Sequence, residues 1–211
     1  MRGPALGVFG TVSIVLCVLG LASAGAAQAR IDAKHRAAVE RFLRASRTLA
    51  VISHAGVPAM IGAAAVNAWG FGLSDLRVAE IVPHIDRTAL EDRIVEIHAR
   101  YLTVDQATAA AIFYESPPST RILGDLLRGS LPATDPLVGG GVAPPTEADR
   151  RAFQGFSEGA VGAHVRVVTP LINEEVLRAV DEAADGAVER YVARNALPHR
   201  RQPPRPPAGR R

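Results

Sequence analysis

Apolar residues recur at three- and four-residue spacing along most of this chain. No segment sustains the two-residue alternation of β-branched or aromatic residues that a half-buried strand requires. The pattern predicts an all-α fold built from short amphipathic helices. Ile31 to Thr48 carries Ala38, Val39, Phe42, Leu43 and Ala45 on one face, with Arg36, Glu40, Arg41 and Arg44 opposite. Thr88 and Glu91 read as a capping box opening a helix whose apolar line is Leu90, Ile94, Ile97 and Tyr101. Ser74 is placed to cap a shorter helix halted by Pro83, and Ile122, Leu123, Leu126 and Leu127 form a further amphipathic turn or two ending at Gly129 as a C′ residue. Val161, Val165 and Val168 continue a helical stripe until Pro170 bends or breaks it. Asn173 then caps a last helix with Leu177, Val180, Ala184, Val188 and Tyr191 inside.

The stretch around which these helices are organised is Tyr101 to Pro117. Thr103 and Gln106 form a capping box, Ala109 and Phe113 share a face, and Ser116-Pro117 ends the helix at about Glu115. The run from Tyr101-Leu102-Thr103 to Phe113-Tyr114-Glu115-Ser116-Pro117 resembles the signature of the bacterial family called domain of unknown function 2059. The resemblance covers roughly residues 31–128. It implies an exported, largely helical protein and brings no catalytic residues. Pro118-Ser119 stands where that family usually places a glycine, so the turn after Pro117 departs from the family pattern.

Residues 146–158 echo the central stretch. Thr103, Gln106, Ala109, Phe113 and Glu115 align with Thr146, Asp149, Ala152, Phe156 and Glu158, which is read either as an old duplication or as a coincidence of pattern. Between the two, Ser130 to Pro145 is a long Gly- and Pro-rich loop.

Arg2, the apolar run Val8 to Leu21 and Ala27-Gln28-Ala29 have the layout of a signal peptide, with cleavage expected after Ala29. The single cysteine, Cys17, lies inside that segment behind the bulky Leu16, which argues against lipidation. A mature chain from Arg30 therefore has no disulfide, thiolate nucleophile or cysteine metal site. The expected layout is a signal peptide at 1–29, a single helical domain at 30–196 and a disordered Pro/Arg-rich tail at 197–211. The net charge of +3 rests on that tail, where Arg200, Arg201, Arg205, Arg210 and Arg211 occur without an acid. The domain itself is slightly acidic and gives no case for nucleic acid. No Asp, Glu, Lys or Arg occurs between Arg47 and Asp75. Pro58, His54, Asn67 and four glycines weigh against a stable membrane span there, leaving a buried, alanine-rich helix interrupted near Gly56 to Pro58.

Candidate chemistry is sparse. Gly155-Phe156-Ser157-Glu158-Gly159 matches the G-x-S-x-G elbow of serine hydrolases, with Ser157 as nucleophile, but that elbow needs a strand ahead of it. Glu80, His84 and Asp86 are spaced to meet at a metal, although Pro83 breaks the helix that would align them. His98 reads as a helix-face residue and His54 as a satisfied core histidine. Trp69, Phe71 and the alanine-rich stretch line either an apolar pocket or the core. No cofactor is implied. The expected role is a non-enzymatic, exported module contacting a protein or envelope component. A binder of a small apolar ligand between helices is the alternative, and a hydrolase using Ser157 a third.

Overall fold

Asp32 starts the first helix by accepting a hydrogen bond from the His35 backbone N–H at 2.7 Å. This helix, α1 (Ala33–Ala45), buries Ala38, Val39, Phe42 and Leu43. The computed structural model describes residues 31–69, 75–131 and 143–195, and those from Ile31 on belong to one compact unit. The signal segment with Ala29, Ser74, Phe71, residues 132–142 of the Gly- and Pro-rich loop and the Pro/Arg tail lie outside the described residues. Among the described residues there is no strand, so the fold is all-α.

After α1 the backbone turns sharply at Arg47, which has a left-handed φ of 59°. Then follow α2 (Thr48–Val51), a π-helical turn (Ile52–Gly56) and α3 (Val57–Trp69). The interruption expected near Gly56 to Pro58 is therefore a widened turn, in which the Val57 N–H donates to the Ile52 carbonyl. Pro58 has no N–H and its ring crowds the carbonyl four residues back, and the wider turn ahead of it relieves that crowding. Burial here is one-sided, which corrects the expectation of a buried helix. Val57, Ile61, Ala64 and Ala65 are inside, while Ala59, Ala63, Val66 and Asn67 are exposed.

Helix α4 (Asp75–Ile81) leads into a 3-10 turn at Val82–His84 that holds Pro83, as its position in the sequence predicts. The next helix, α5 (Arg87–Tyr101), starts earlier than expected. Asp86 caps it, accepting from the Ala89 N–H at 3.0 Å, and Thr88 sits in the first turn with no capping box to Glu91. A carboxylate is an N-cap at least as good as threonine, and Asp86 comes first along the chain. Leu90, Ile94, Val95 and Ile97 are buried along α5, each contributing on the order of 2 kcal/mol by leaving water.

Helix α6 (Val104–Tyr114) presents Ala107, Ala110 and Ala111 to the core, and these small side chains let α1 lie close against it. Ser116 is extended and Pro117 opens α7 (Pro117–Ser130) at its first position, as the Ser-Pro pair predicts. Gly129 lies inside α7 and is not a C′ residue. The helix ends instead because Leu131 adopts an extended conformation.

Helix α8 (Glu147–Glu158) is followed, after the extended Gly159, by α9 (Ala160–Arg194), which runs unbroken through Pro170. Asn173 therefore lies within a helix and does not cap one. Thr169 Oγ1 donates to the Val165 carbonyl at 2.7 Å in the turn that lacks a proline N–H. Val168, Ile172 and Val176 stay buried on both sides of Pro170, and their packing holds the helix together where local propensity would end it. Because the phase carries through, Leu177 faces out at 58% exposure and Val176 takes the inner position expected of it. Val180, Ala184, Val188 and Tyr191 are inside as predicted. The core thus lies where α9 packs on α3 and α5, and α5 packs on α1, with α8 held by α7 and the start of α9.

Candidate functional site

The signature residues of the central stretch lie at the two ends of α6, Thr103 at its start and Phe113, Tyr114, Ser116 and Pro117 at its finish. Thr103 Oγ1 accepts from the Gln106 N–H at 3.2 Å, and Gln106 Oε1 accepts from the Thr103 N–H at 2.9 Å. Phe113 stacks on Phe156 with ring centroids 3.8 Å apart and planes 4° from parallel. Tyr114 packs against Phe42 at 5.8 Å, and burial raises its phenol above the usual range. Arg41 donates two hydrogen bonds to Glu115, at 2.8 and 2.6 Å, which hold that carboxyl below its ordinary value. Ser116 ends α6 in extended backbone, and Pro117 begins α7.

Two histidines that sequence reasoning left without a role clasp the break between α5 and α6. His35 Nε2 donates to the Leu102 carbonyl at 2.6 Å, and His164 Nε2 donates to the Tyr101 carbonyl at 2.9 Å. Carbonyls at a helix C-terminus lack intrahelical donors, so these contacts from α1 and α9 satisfy groups left bare by the break. Tyr101 and Arg100 both donate to Glu175 at 2.5 Å. The only hint in the sequence was the helix break itself, since the donors come from 67 and 63 residues away.

The echo in residues 146–158 extends to structure. Thr146 and Asp149 form a second capping box, and the phenylalanines that align in sequence, Phe113 and Phe156, are the stacked pair. Asp149 is 3% exposed and receives two hydrogen bonds from Arg121, at 2.7 and 2.5 Å. Those bonds, with the backbone N–H of Thr146, hold its carboxyl well below the usual carboxylate range.

The candidate catalytic and metal residues are occupied otherwise. Ser157 sits in the last turn of α8, with helix and not a strand ahead of it, so the strained elbow that exposes a nucleophile is not formed. Glu80 Oε2 accepts from the Tyr191 hydroxyl at 2.7 Å, Asp86 caps α5, and the His84 ring lies edge-on to Tyr191. Among the described residues no group of three or more His, Cys, Asp or Glu is placed to hold a metal. The two central histidines exchange their expected places. His54 is exposed on the π turn, whereas His98 is 5% exposed and donates from Nδ1 to the Ile94 carbonyl at 2.8 Å.

Burial lowers the pKa of His98, and this sets a pH dependence. Below the ordinary value of about 6.5 the unfolded chain takes up a proton that the folded chain excludes, so stability falls as pH drops through that window. Asp149 adds a second limb. Its contribution is complete above the ordinary aspartate value of about 3.9 and is lost as the pH falls toward its depressed folded value. Unfolding free energy measured against pH should show both limbs. His98→Leu should flatten the upper one and Asp149→Asn the lower one, and a variant curve parallel to wild type would refute the corresponding assignment.

A groove of about 470 Å³ opens between the end of α1, α2 and α5. Glu40, Arg44, Arg47 and Leu49 line it from α1 and α2, and Glu91, Asp92 and Val95 from α5, with Arg36 paired to both Glu40 and Asp92. A neighbouring apolar crevice shares Leu49 and Glu91 but measures only about 10 Å³, room for a single water-sized sphere. No family model, curated protein or solved structure matches the chain.

Proposed function

We propose that this protein works outside the cytoplasm as a non-catalytic helical module that binds a protein or another envelope component. The single observation that carries this reading is the segment Thr48–Asn67. It is long and apolar enough to cross a membrane by length and composition, yet it lies in a helical body with 22% of its most apolar window buried. A soluble surface rarely leaves such a stretch without a charge unless something else contacts it. The signal-like first segment and the resemblance to domain of unknown function 2059 support export. The signature residues Thr103, Phe113, Tyr114, Ser116 and Pro117 support a structural role for that stretch, because they cap, stack and terminate helices. A small apolar ligand held between helices is the alternative, and the crevice beside Leu49, at about 10 Å³, is too small to hold a lipid chain itself.

The test is site-specific photocrosslinking in the native host, with the reactive group at Ala59 or Ala63 on the exposed face of α3 and at Arg151 on α8 as control. A discrete adduct from the α3 positions alone is expected in the envelope fraction. Adducts equal to the control, or recovery of the chain only from the cytoplasm, would sink the reading.

A further inference from the structure

We propose that the outer face of α3 docks on the surface of an anionic lipid bilayer, with the arginines of the C-terminal tail pairing with the headgroups around it. This inference rests on the reading above that the face contacts an envelope component, and names that component. Along α3, Ala59, Gly62, Ala63 and Val66 recur at i, i+3, i+4 and i+7 and so share one side of the helix. Ala59, Ala63 and Val66 are exposed, and a methyl added at Gly62 would meet nothing within 4 Å. The opposite side, with Val57, Ile61, Ala64 and Ala65, is buried, and α3 packs on α9. A helix held along one side does not cross a membrane while the body stays folded. It lies in the plane of the interface with its free side inward.

Charge selects the surface. Neither α2 nor α3 contains Asp, Glu, Lys or Arg, whereas each of the other α-helices carries at least one acid. The domain is slightly acidic overall, and this face meets an anionic surface without an acid of its own. Residues 196–211 carry Arg200, Arg201, Arg205, Arg210 and Arg211 and no acid. Each arginine that reaches an anionic leaflet strengthens binding about fivefold. A face of alanines buries little apolar area, so it needs such a second signal to stay bound. A bilayer offers an apolar interior and anionic headgroups in one plane, which a protein partner would have to supply as two separate patches.

The tail leaves the body beside that face. In the last turns of α9, Arg190 Nε donates to the His84 carbonyl at 3.0 Å and the Tyr191 hydroxyl donates to Glu80 Oε2 at 2.7 Å. Val82 and Ile85, on either side of that loop, line the small crevice together with Ile52, Ser53 and Val57, where α3 begins. The end of α9 and the start of α3 therefore lie at the same end of the body. An extended proline-rich chain rises about 3.1 Å per residue, which gives residues 196–211 a reach of up to about 50 Å. Helix α3 is only about 20 Å long, so the arginines have the reach to flank it.

The protein as purified from its host is floated with vesicles of phosphatidylcholine, alone or with about one-third phosphatidylglycerol. It should float with the anionic vesicles at low salt and stay behind with the neutral ones. Replacing the five tail arginines with glutamine should weaken binding at least about a hundredfold. Ala63→Glu should weaken it about tenfold and Ala63→Leu strengthen it about threefold, with helical circular dichroism unchanged in both. Ala152→Glu, which adds the same charge at an exposed position of α8, should bind within about twofold of wild type. Equal flotation with both vesicle types, or Ala63→Glu binding like Ala152→Glu, would overturn the assignment. A discrete protein adduct from Ala59 or Ala63 without flotation would also overturn it while leaving the contact reading intact. Flotation as expected, with the chain recovered in the host only from the cytoplasm, would do the reverse.

Discussion

Replacing Gly162 with alanine should destabilise the protein by about 3 kcal/mol, at the upper end of what overpacking costs. A Cβ there would overlap the Phe156 carbonyl oxygen and lie 2.8 Å from both the Phe156 carbonyl carbon and Ser157 Cα. All three atoms are backbone of α8, so no side chain can swing aside. Relief requires α8 to move off the first turns of α9. Gly62→Ala is the matched control. It sits inside α3 with nothing within 4 Å of its added methyl, and should gain roughly 0.5 to 1 kcal/mol from helix propensity alone. Urea unfolding of both variants decides the matter, and a Gly162→Ala midpoint equal to wild type would show that α8 and α9 do not meet as described.

Phe113→Ala comes next, with an expected loss of about 3 kcal/mol, the lower end for removing a phenylalanine because this ring is only half-buried. The ring stacks on Phe156 and makes further contacts with Tyr114 at 5.4 Å and Phe153 at 5.5 Å, so its loss loosens α8 from α6. A double-mutant cycle with Phe156→Ala should return a coupling of about 1 kcal/mol, the range for well-placed aromatic pairs. Strict additivity would mean that the stacked pair contributes nothing beyond burial. Thr103→Ala offers a scale, since loss of one N-cap costs about 1 kcal/mol.

Much of this fold was legible along the chain because its signals are local. A threonine followed three residues later by glutamine marks a helix start, and the box at Thr103 formed as its spacing predicts, while the echo at Thr146 and Asp149 proved to be a second box. Ser116-Pro117 ends one helix and begins the next for reasons contained in the dipeptide. The Thr88 box failed by the same local logic, since Asp86, two residues earlier, was a competing cap that had been weighed as a metal ligand. Gly129 failed because a glycine near a helix end permits a left-handed stop without requiring one.

The candidate site was legible only in its parts. The absence of charge from Arg47 to Asp75 was visible, but the exposure of one face of that helix was not. Arg44 read as part of a polar face and Glu91 as half of a capping box, and neither reading showed that the end of α1 and α2 would share a groove with α5. What the sequence by itself determined was the start of α6, the boundary at Ser116-Pro117 and the absence of strand among the described residues, since caps, φ restriction and periodicity act within a few residues. Only the tertiary structure decided that α9 continues through Pro170, that Leu177 faces outward, and that His35 and His164 close the α5–α6 break. Each of these depends on groups distant in sequence, and burial of the flanking residues outweighs a local preference of a few kcal/mol.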